Sequence, residues 1–283
     1  MPEKLPDLSI DATRVAANVL AEDGFVDLTT AVSVRHPVAA EATIEARTPC
    51  VVSGLIYAET TARAAGCAAT WNVREGDSAV PGPLGRMRGD LAAILRAERP
   101  VLNILQRACG IATATRAYVK ALEGTSCRVL HTRKTAPGLR FLDVAAVMAG
   151  GGTVHRLDLA HTVMIKDNHW LALAREGRSL AEALAAARAR GAIACQVEAE
   201  TENQVIEACR AGADRLLIDN QTPATVATWS AVARVLAPMI SIEATGGITL
   251  TNARAFADAG ADFISVGALT HSVSAADISL ELA

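Results

Sequence analysis

The stretch ACQVEAETENQVIEACRAGADRLLID, residues 194–219, decides the fold of this chain. One short apolar run in it stops at Glu198, and another stops at Asp219. The segment between the two runs has helical composition and is followed by Gly212, a residue type that commonly ends helices. A strand, a helix and a second strand in this order predict a β-α-β unit with parallel strands.

The same pattern recurs on both sides of this stretch. Apolar runs also end just before Lys166, Glu243 and Gly267, and another precedes Thr132-Arg133-Lys134. The intervals of about 20 to 30 residues approach the length of a strand-helix unit. Helices are predicted between the strands over residues 180–189, 203–211, 224–236 and 251–259. A barrel is favoured over an open sheet, because each strand end carries glycine or a chemically useful side chain, and barrels place their sites at those ends.

The first part of the chain has a different pattern, in which helical and alternating segments are separated by glycine and proline. It predicts a helix over residues 11–22 that ends near 27–30, strands over 42–46 and 51–56, a helix after Ala58, and two helices over 92–121 broken at Pro100 and Gly110. A small α+β domain at the amino terminus is the simplest interpretation.

Length and composition exclude several classes of protein. The 283 residues are 51% hydrophobic and 20% charged, which is typical of a globular chain with one large domain or two smaller ones. The net charge of −3 argues against a nucleic-acid binder, whose affinity depends on a basic surface. The six cysteines form no C-x-x-C pair and predict reduced thiols. With no signal-peptide core and no apolar run of about 20 residues, we expect a cytoplasmic protein that does not enter a membrane.

Three basic clusters predict a pocket for an anion. They are Arg133-Lys134 after a predicted strand, His155-Arg156 after the triple glycine 150–152, and Lys166 at the end of another strand. Consecutive glycines let a backbone approach a ligand closely, and a lysine at a buried strand end needs a partner such as a ligand carboxylate or phosphate. Arg133 and Lys134 could instead be a pair on an exposed loop, but their position directly after a strand argues against this, and a single histidine is more often structural than catalytic.

Acidic residues and glycines at the other strand ends suit the remaining parts of such a ligand. Glu198 and Asp219, on successive strands, suit Mg²⁺ or sugar hydroxyl groups, although they could instead form salt bridges with the basic residues. Gly246-Gly247 and Gly267 stand where barrels commonly bind a phosphate through loop amides, although a double glycine can also be a simple turn. The residues thus predict an enzyme-like pocket for a phosphorylated substrate that carries additional carboxylates.

Several motifs, in order along nearly the whole chain, resemble those of one enzyme family. They are Glu98–Asn103 (ERPVLN), Cys109–Thr113 (CGIAT), Thr132–Thr135 (TRKT) with Pro137-Gly138, Gly150–Gly152 with His155-Arg156, Ile165–His169 (IKDNH) and Ser265–His271 (SVGALTH). With these motifs the chain resembles the quinolinate phosphoribosyltransferase family, also called nicotinate-nucleotide pyrophosphorylase (carboxylating).

The resemblance implies an α/β fold of two domains. An amino-terminal α+β sandwich-like domain would span residues 1–110, with the carboxyl-terminal segment 274–283 packing on it. Residues 111–273 would form an incomplete (β/α) barrel with fewer than eight strands. The implied assembly is a homodimer in which Arg99 reaches the active site of the neighbouring subunit, and the sequence leaves a larger hexamer open.

The resemblance also implies the reaction and its residues. Quinolinate and phosphoribosyl pyrophosphate would give nicotinate mononucleotide, pyrophosphate and CO₂, with Mg²⁺ and without an organic cofactor. The implied catalytic residues are Lys134, Lys166, Glu198 and Asp219, and the last two would hold Mg²⁺ directly or indirectly. The implied substrate-binding residues are Arg99, Thr132, Arg133, His155, Arg156, Asn168, Thr245, Gly246, Gly247, Gly267 and His271.

Three positions depart from the usual pattern of that family: Val26 replaces glycine, Gln196 replaces glutamate and Thr245 replaces serine. Thr245 keeps a hydroxyl group, whereas Gln196 removes a charge, which bears on affinity more than on reaction type. A related enzyme associated with molybdenum uptake shares several motifs but typically lacks Lys-Asp-Asn-His, so residues 166–169 argue against it. The alternative outside the enzymes is a barrel that binds a phosphorylated anion without turning it over.

Overall fold

A computed structural model describes residues 5–24 and 26–283. Across these residues the helices are α1 (Leu8–Glu22), α2 (Leu28–Ser33), α3 (Leu55–Ala65), α4 (Leu91–Ala121), α5 (Arg140–Ala149), α6 (Asp167–Glu176), α7 (Leu180–Ala189), α8 (Glu202–Arg210), α9 (Pro223–Leu236), α10 (Ala253–Asp258) and α11 (Ala268–His271). The strands are β1 (Ala39–Ala46), β2 (Cys50–Val51), β3 (Cys67–Trp71), β4 (Ser78–Ala79), β5 (Gly82–Asp90), β6 (Arg128–Leu130), β7 (Thr162–Ile165), β8 (Ala194–Ala199), β9 (Arg215–Asp219), β10 (Ser241–Thr245), β11 (Phe263–Ser265) and β12 (Ile278–Leu282). Within the same residues, no helix has both the length and the apolar character needed to cross a membrane.

The described chain divides into two compact units, each named here for its main sheet. The antiparallel unit comprises residues 5–24, 26–116, 134–152 and 268–283, and the parallel unit comprises residues 117–133 and 153–267.

The antiparallel unit contains, within the described residues, a four-stranded sheet in the order β12-β1-β5-β3. The last strand, β12, pairs with β1 so that Leu282 lies opposite Ala42. Alternate residues of β1 are buried, as expected for a strand with one face on a core. Helix α1 packs against α3, and the buried Tyr57 hydroxyl donates a hydrogen bond of 2.9 Å to Asp11. This arrangement matches the predicted α+β architecture.

The prediction of two helices over residues 92–121 is wrong, because α4 continues through both expected breaks. Pro100 lacks a backbone N–H and is expected to disrupt a helix, but it is buried in a row of buried apolar residues that holds the helix in place. Gly110 lies against another segment, since a Cβ there would be 2.2 Å from the carbonyl oxygen of Ser274. The glycine therefore permits close packing and does not end the helix.

Two shorter predictions are also wrong. Residues 27–30 begin a helix instead of ending one, since the Asp27 carboxylate accepts a hydrogen bond of 2.9 Å from the backbone N–H of Thr30 in α2. The predicted strand over residues 51–56 is limited to its start in β2, because Gly54 has a φ of +91° and α3 begins at the next residue.

The parallel unit contains, in the part of the chain that is described, one six-stranded parallel sheet in the order β6-β11-β10-β9-β8-β7. These are the six strands expected from the sequence, and helices α7 to α10 lie between them along the chain as predicted. β6 and β7 are the two edges of this sheet, so the barrel is incomplete. The predicted fold class is confirmed.

The register of the parallel sheet brings the ends of its strands to one edge. Val197 lies opposite Leu216, and Thr245 lies opposite Asp219. The middle residues of the strands are apolar and fully buried, including Val197, Leu216 and Ile242. The polar residues at or after the strand ends therefore share the carboxyl edge of the sheet, where parallel α/β folds commonly bind ligands.

Candidate active site

Lys166 and Glu198 form an ion pair at the carboxyl edge of the parallel sheet. Lys166 directly follows β7, and Glu198 lies near the end of the neighbouring strand β8. The lysine Nζ donates to Glu198 Oε2; the lysine side chain is 38% exposed and that of the glutamate 8%. The sequence predicts either an anionic ligand or a salt bridge with an acidic strand end as the partner of Lys166, and the salt bridge is present here.

Burial raises the pKa of Glu198, because a carboxylate loses hydration inside a protein. The hydrogen bond and the charge of Lys166 partly offset this rise, whereas the charges of Asp219 and Asp167 add to it. The indole N–H of Trp170 donates to the backbone oxygen of Glu198 over 2.9 Å and fixes this end of β8. Lys166, Glu198 and Asp219 therefore form one electrostatic group on three neighbouring strands.

Asn220, which sequence analysis missed, joins Asp219 to the loop after β10. Its side-chain amide donates to Asp219 Oδ2 over 2.6 Å, and its backbone N–H donates to the Thr245 carbonyl over 2.9 Å. Asn220 has a φ of +54°, a left-handed conformation that asparagine adopts more readily than most residues. Its signal in the sequence was its place directly after a strand-end carboxylate.

Gly246 and Gly247 form a closely packed loop beside this asparagine. A Cβ at Gly246 would lie 2.2 Å from Asn220 Oδ1, and the φ of +79° at Gly246 disfavours any larger residue. Gly247 also has a positive φ, +62°, and its carbonyl accepts a hydrogen bond of 3.0 Å from Asn252 Nδ2. The local backbone thus requires both glycines. This conformation is consistent with both predicted alternatives, a loop that presents its amides to a ligand and a simple tight turn.

Four further predicted residues follow strands of the same sheet. Thr132 and Arg133 come after β6 and are half-buried, and the buried Nε of Arg133 has no hydrogen-bond partner among the described protein atoms. Gly267 comes after β11, the neighbour of β6, and is half-buried. Asn168 is exposed in the first turn of α6, two residues beyond Lys166.

His155 belongs to a buried cluster around Glu243. His155 Nε2 and Arg215 Nη1 each lie 3.1 Å from Glu243 Oε2, and the Ser265 hydroxyl donates to Glu243 Oε1. Burial alone would raise the pKa of Glu243, but the charges of His155 and Arg215 and the bond from Ser265 lower it to about 2. Glu243 is therefore ionised at neutral pH, although the sequence marked it only as a strand end.

The amino edge of the same sheet encloses a cavity of about 340 Å³. The first residue of every strand of the sheet lines it: Arg128, Thr162, Ala194, Arg215, Ser241 and Phe263. His155 and Gln196 also line this cavity, and the buried side-chain oxygen of Gln196 has no hydrogen-bond partner in the described structure. Arg156 is buried and donates to the carbonyl of Thr162, at the start of β7, over 3.3 Å.

The parallel unit thus distributes the predicted residues over two edges. Lys166, Glu198 and Asp219 lie at the carboxyl edge with Thr245 and its glycine loop. His155 and Gln196 border the amino-edge cavity instead.

Three predicted site residues belong to the antiparallel unit. Lys134 is exposed, and its carbonyl accepts a hydrogen bond of 2.9 Å from Thr270 Oγ1. Arg99 is exposed on α4 and lines a cavity of about 780 Å³ together with residues of α2. His271 is exposed at the end of α11, and its Nδ1 lies 2.7 Å from the hydroxyl oxygen of Ser272.

The carboxylates at the carboxyl edge are compatible with Mg²⁺. Among the described residues, no group of three or more His, Cys, Asp or Glu side chains could hold a metal ion without other ligands. Glu198 and Asp219 nevertheless supply two carboxylates on neighbouring strands. Mg²⁺ in enzymes commonly takes one or two carboxylates and completes its coordination with water and substrate phosphates, so this donor set fits the ion.

Comparison with known proteins identifies the family. The domains described as "Quinolinate phosphoribosyl transferase, N-terminal domain" and "C-terminal domain" match residues 27–109 and 111–281. The nicotinate-nucleotide pyrophosphorylase [carboxylating] of Mycobacterium leprae is 36% identical over 291 residues, which cover 98% of this chain and 100% of that protein. The Homo sapiens protein of the same name is 35% identical over 247 residues, which cover 86% of this chain and 82% of that protein.

Solved structures give the same result. The nicotinate-nucleotide pyrophosphorylase from Francisella tularensis superimposes with a TM-score of 0.89 and 29% identity, over 99% of this chain and 98% of that one. The parallel sheet with a charged carboxyl edge defines the class of protein, an α/β barrel with polar residues at the strand ends, where proteins of this architecture bind their ligands. The chain belongs to the quinolinate phosphoribosyltransferase family, as its motifs predict, and is therefore a decarboxylating phosphoribosyltransferase.

Proposed function

We propose that this protein transfers the phosphoribosyl group of phosphoribosyl pyrophosphate to quinolinate and releases nicotinate mononucleotide, pyrophosphate and CO₂, a step of NAD biosynthesis. The observation that carries the proposal is the row Lys166, Glu198 and Asp219 on three neighbouring strand ends, in a chain that matches both domains of the family. Such a row offers a cation for an anionic substrate and carboxylates for a sugar or a metal within one edge.

Planar guanidinium groups suit the two adjacent carboxylates of quinolinate, because each can form a two-bond fork with a carboxylate. The proposal assigns this role to Arg133, Arg156 and Arg99, the last from a neighbouring subunit. The buried, unpartnered Nε of Arg133 supports the assignment, since a buried donor without a partner is costly unless a ligand accepts from it. Thr132 completes the proposed binding at the carboxyl edge, whereas His155 and Arg156, which lie at the amino edge, are assigned to the substrate by their family motif alone.

The chemical step needs little covalent participation by the protein. The ring nitrogen bonds to the ribose C1 as the bond from C1 to the pyrophosphate oxygen breaks, and positive charge develops on the ribose. The proposal assigns Glu198 and Asp219 to the ribose hydroxyls or to Mg²⁺, which when bound would supply positive charge to the departing pyrophosphate. Lys134 and Lys166 would orient and neutralise the anionic groups, so that catalysis consists of positioning and electrostatics.

Decarboxylation follows from the charge on the product ring. When the bond between the ring and the adjacent carboxylate breaks, its electron pair stays on the ring carbon, where the positive pyridinium nitrogen stabilises it. CO₂ leaves as this bond breaks, and a proton then binds to the ring carbon that kept the electron pair. No organic cofactor is needed for this step.

The 5′-phosphate is assigned to the backbone of the loops after β10 and β11. Thr245, Gly246, Gly247 and Gly267 are the proposed contacts, and the positive φ angles of the double glycine support a loop that turns its amides towards a ligand. Asn168 and His271 are proposed as further binding residues. We propose that the protein is a cytoplasmic homodimer. Light scattering would distinguish the dimer from a hexamer, the larger assembly that the sequence leaves open.

The test is an assay of the purified protein with phosphoribosyl pyrophosphate, Mg²⁺ and either quinolinate or nicotinate. The expected result is nicotinate mononucleotide and CO₂ in equal amounts from quinolinate, and loss of both when EDTA removes Mg²⁺. Product from nicotinate alone would reassign the acceptor. No product from either acid would overturn the proposed reaction and favour a barrel that binds an anion without turnover.

A further inference from the structure

A buried ion pair lies behind the loop that carries Lys134. Asp143 of α5 is fully buried and accepts two hydrogen bonds from Arg107 of α4, one of 2.8 Å from Nε to Oδ1 and one of 2.7 Å from Nη2 to Oδ2. This two-bond fork fixes the guanidinium and the carboxylate in one relative orientation. Neither residue is among those assigned to the site above.

The same pair binds the backbone of the loop. The Ala136 N–H donates to Asp143 Oδ2 over 3.1 Å, and Arg107 Nη2 also donates to the Thr270 carbonyl of α11 over 2.9 Å. The Thr270 hydroxyl donates in turn to the Lys134 carbonyl over 2.9 Å. One continuous set of hydrogen bonds therefore joins the backbone at Lys134 and Ala136 to the helix that ends at His271.

A third contact holds the far end of the loop. Arg14 Nη2 donates to the Gly138 carbonyl over 2.5 Å, and the Asp11 carboxylate holds Arg14 in place over 2.6 Å. The loop is thus bound at residues 134, 136 and 138, although it has no regular secondary structure. Its conformation is set by charged side chains, of which Asp143 is fully buried and Arg14 is exposed, and not by a helix or a sheet.

Stability alone is a poor explanation for a buried ion pair. The loss of hydration of two charges offsets much of their attraction, so such pairs often contribute little net stability. They do impose a defined geometry, because a misplaced buried charge is strongly unfavourable. The features so fixed here are the backbone of Lys134 and the position of α11.

We infer that Arg107 and Asp143 are positioning residues for phosphoribosyl transfer. They hold the Lys134 loop and α11 in the arrangement that turnover requires, and they act through the backbone. This inference rests on the proposed function, in which Lys134 is catalytic. Since a displacement of about 1 Å at a reacting group costs about 100-fold in rate, loosening this pair lowers kcat by about 10- to 100-fold while KM changes much less.

The test compares Asp143→Asn with the control variant Glu75→Gln, whose carboxylate also binds backbone N–H groups but belongs to an exposed residue. Both changes convert a carboxylate into an amide of the same shape. Glu75 likewise accepts hydrogen bonds from backbone N–H groups, 3.2 Å from Gly54 and 2.7 Å from Leu55, but it caps α3 and makes no hydrogen bond to the Lys134 loop. Arg107→Lys is the second variant, to be used if Asp143→Asn does not fold. It keeps the positive charge but loses the two-bond fork.

Two measurements are made on each variant: steady-state kcat and KM for both substrates, and amide hydrogen exchange of the peptide that contains Ala136. Asp143→Asn or Arg107→Lys is expected to lower kcat at least about 10-fold and to speed exchange at Ala136. Glu75→Gln is expected to keep kcat within about twofold of the unmodified enzyme.

Unchanged kcat in folded Asp143→Asn and Arg107→Lys would overturn the inference, and so would an equal loss in Glu75→Gln. An unmodified enzyme without any turnover would refute the proposed function, and the inference would fall with it. Active unmodified enzyme with undiminished variants would refute the inference alone.

Discussion

Replacing Glu243 by glutamine is expected to destabilise the parallel unit by about 3 kcal/mol at pH 7. Glu243 is fully buried, and its pKa is lowered from 4.5 to about 2 by partners that outweigh the effect of burial. Each pKa unit corresponds to about 1.4 kcal/mol of difference between folded and unfolded states. Glutamine keeps the shape of the side chain but loses the charge that His155 and Arg215 face at 3.1 Å.

The pH dependence of this loss has a definite sign. Because the pKa of Glu243 is lower in the folded state, its ionisation stabilises the fold above the unfolded pKa of 4.5, and this contribution disappears as the pH falls through about 2. The difference between the original protein and Glu243→Gln should therefore be full at pH 7 and shrink to about 1 kcal/mol at pH 3.

Urea unfolding followed by tryptophan fluorescence at pH 7 and pH 3 measures the difference, since Trp170 and Trp229 lie in the parallel unit. Glu198→Gln is the matched control on the same sheet. Burial raises the pKa of Glu198, so its ionisation at pH 7 costs stability and its removal should not destabilise. A difference for Glu243→Gln below about 1 kcal/mol at pH 7, or one that is equal at both pH values, would refute this reasoning.

Three further predictions concern activity. Lys134→Ala should lower turnover at least about 100-fold with an unchanged urea midpoint, and near-normal activity would remove Lys134 from the mechanism. A mixture of inactive Arg99→Ala and Lys166→Ala proteins should regain activity if subunits share sites, and no recovery under proven subunit exchange would count against sharing. Gly246→Ala should raise the KM for phosphoribosyl pyrophosphate and cost about 1 to 3 kcal/mol of stability, because its Cβ would lie 2.2 Å from Asn220 Oδ1; an unchanged KM would exclude this loop from the phosphate site.

The sequence predicts the parallel sheet well because each strand is a local feature. An apolar run that stops at one polar residue, such as Glu198 or Asp219, signals a buried strand and its end without reference to the rest of the chain. Helix α4 was predicted less well, because its continuity depends on distant packing. Gly110 signals a break when read locally, but its carbonyl neighbour Ser274 lies far along the chain.

The candidate site was likewise predictable only in its local features. The residue types at strand ends are local, whereas their partners are not: His155 and Glu243 are 88 residues apart, and Lys166 and Glu198 are 32 apart. No pattern in one sequence indicates that His155 pairs with a carboxylate inside the barrel. Asn220 was missed because its role depends on the backbone of a neighbouring loop at Thr245.

The two acidic clusters of the parallel sheet differ in how firmly they are held, and the difference fits separate tasks. Glu243 is enclosed by three partners and strongly ionised, so any rearrangement of it is costly. Lys166 is more than a third exposed whereas its partner Glu198 is buried, so solvent screens this pair only on the side of the lysine. In the proposed site, an arriving phosphate or carboxylate would compete with Glu198 for Lys166, and a ribose hydroxyl or Mg²⁺ would have to offset the cost of leaving the buried Glu198 carboxylate without its cation. The pair at the carboxyl edge suits the proposed site because a ligand can reach its lysine, whereas the Glu243 carboxylate is enclosed by its own partners.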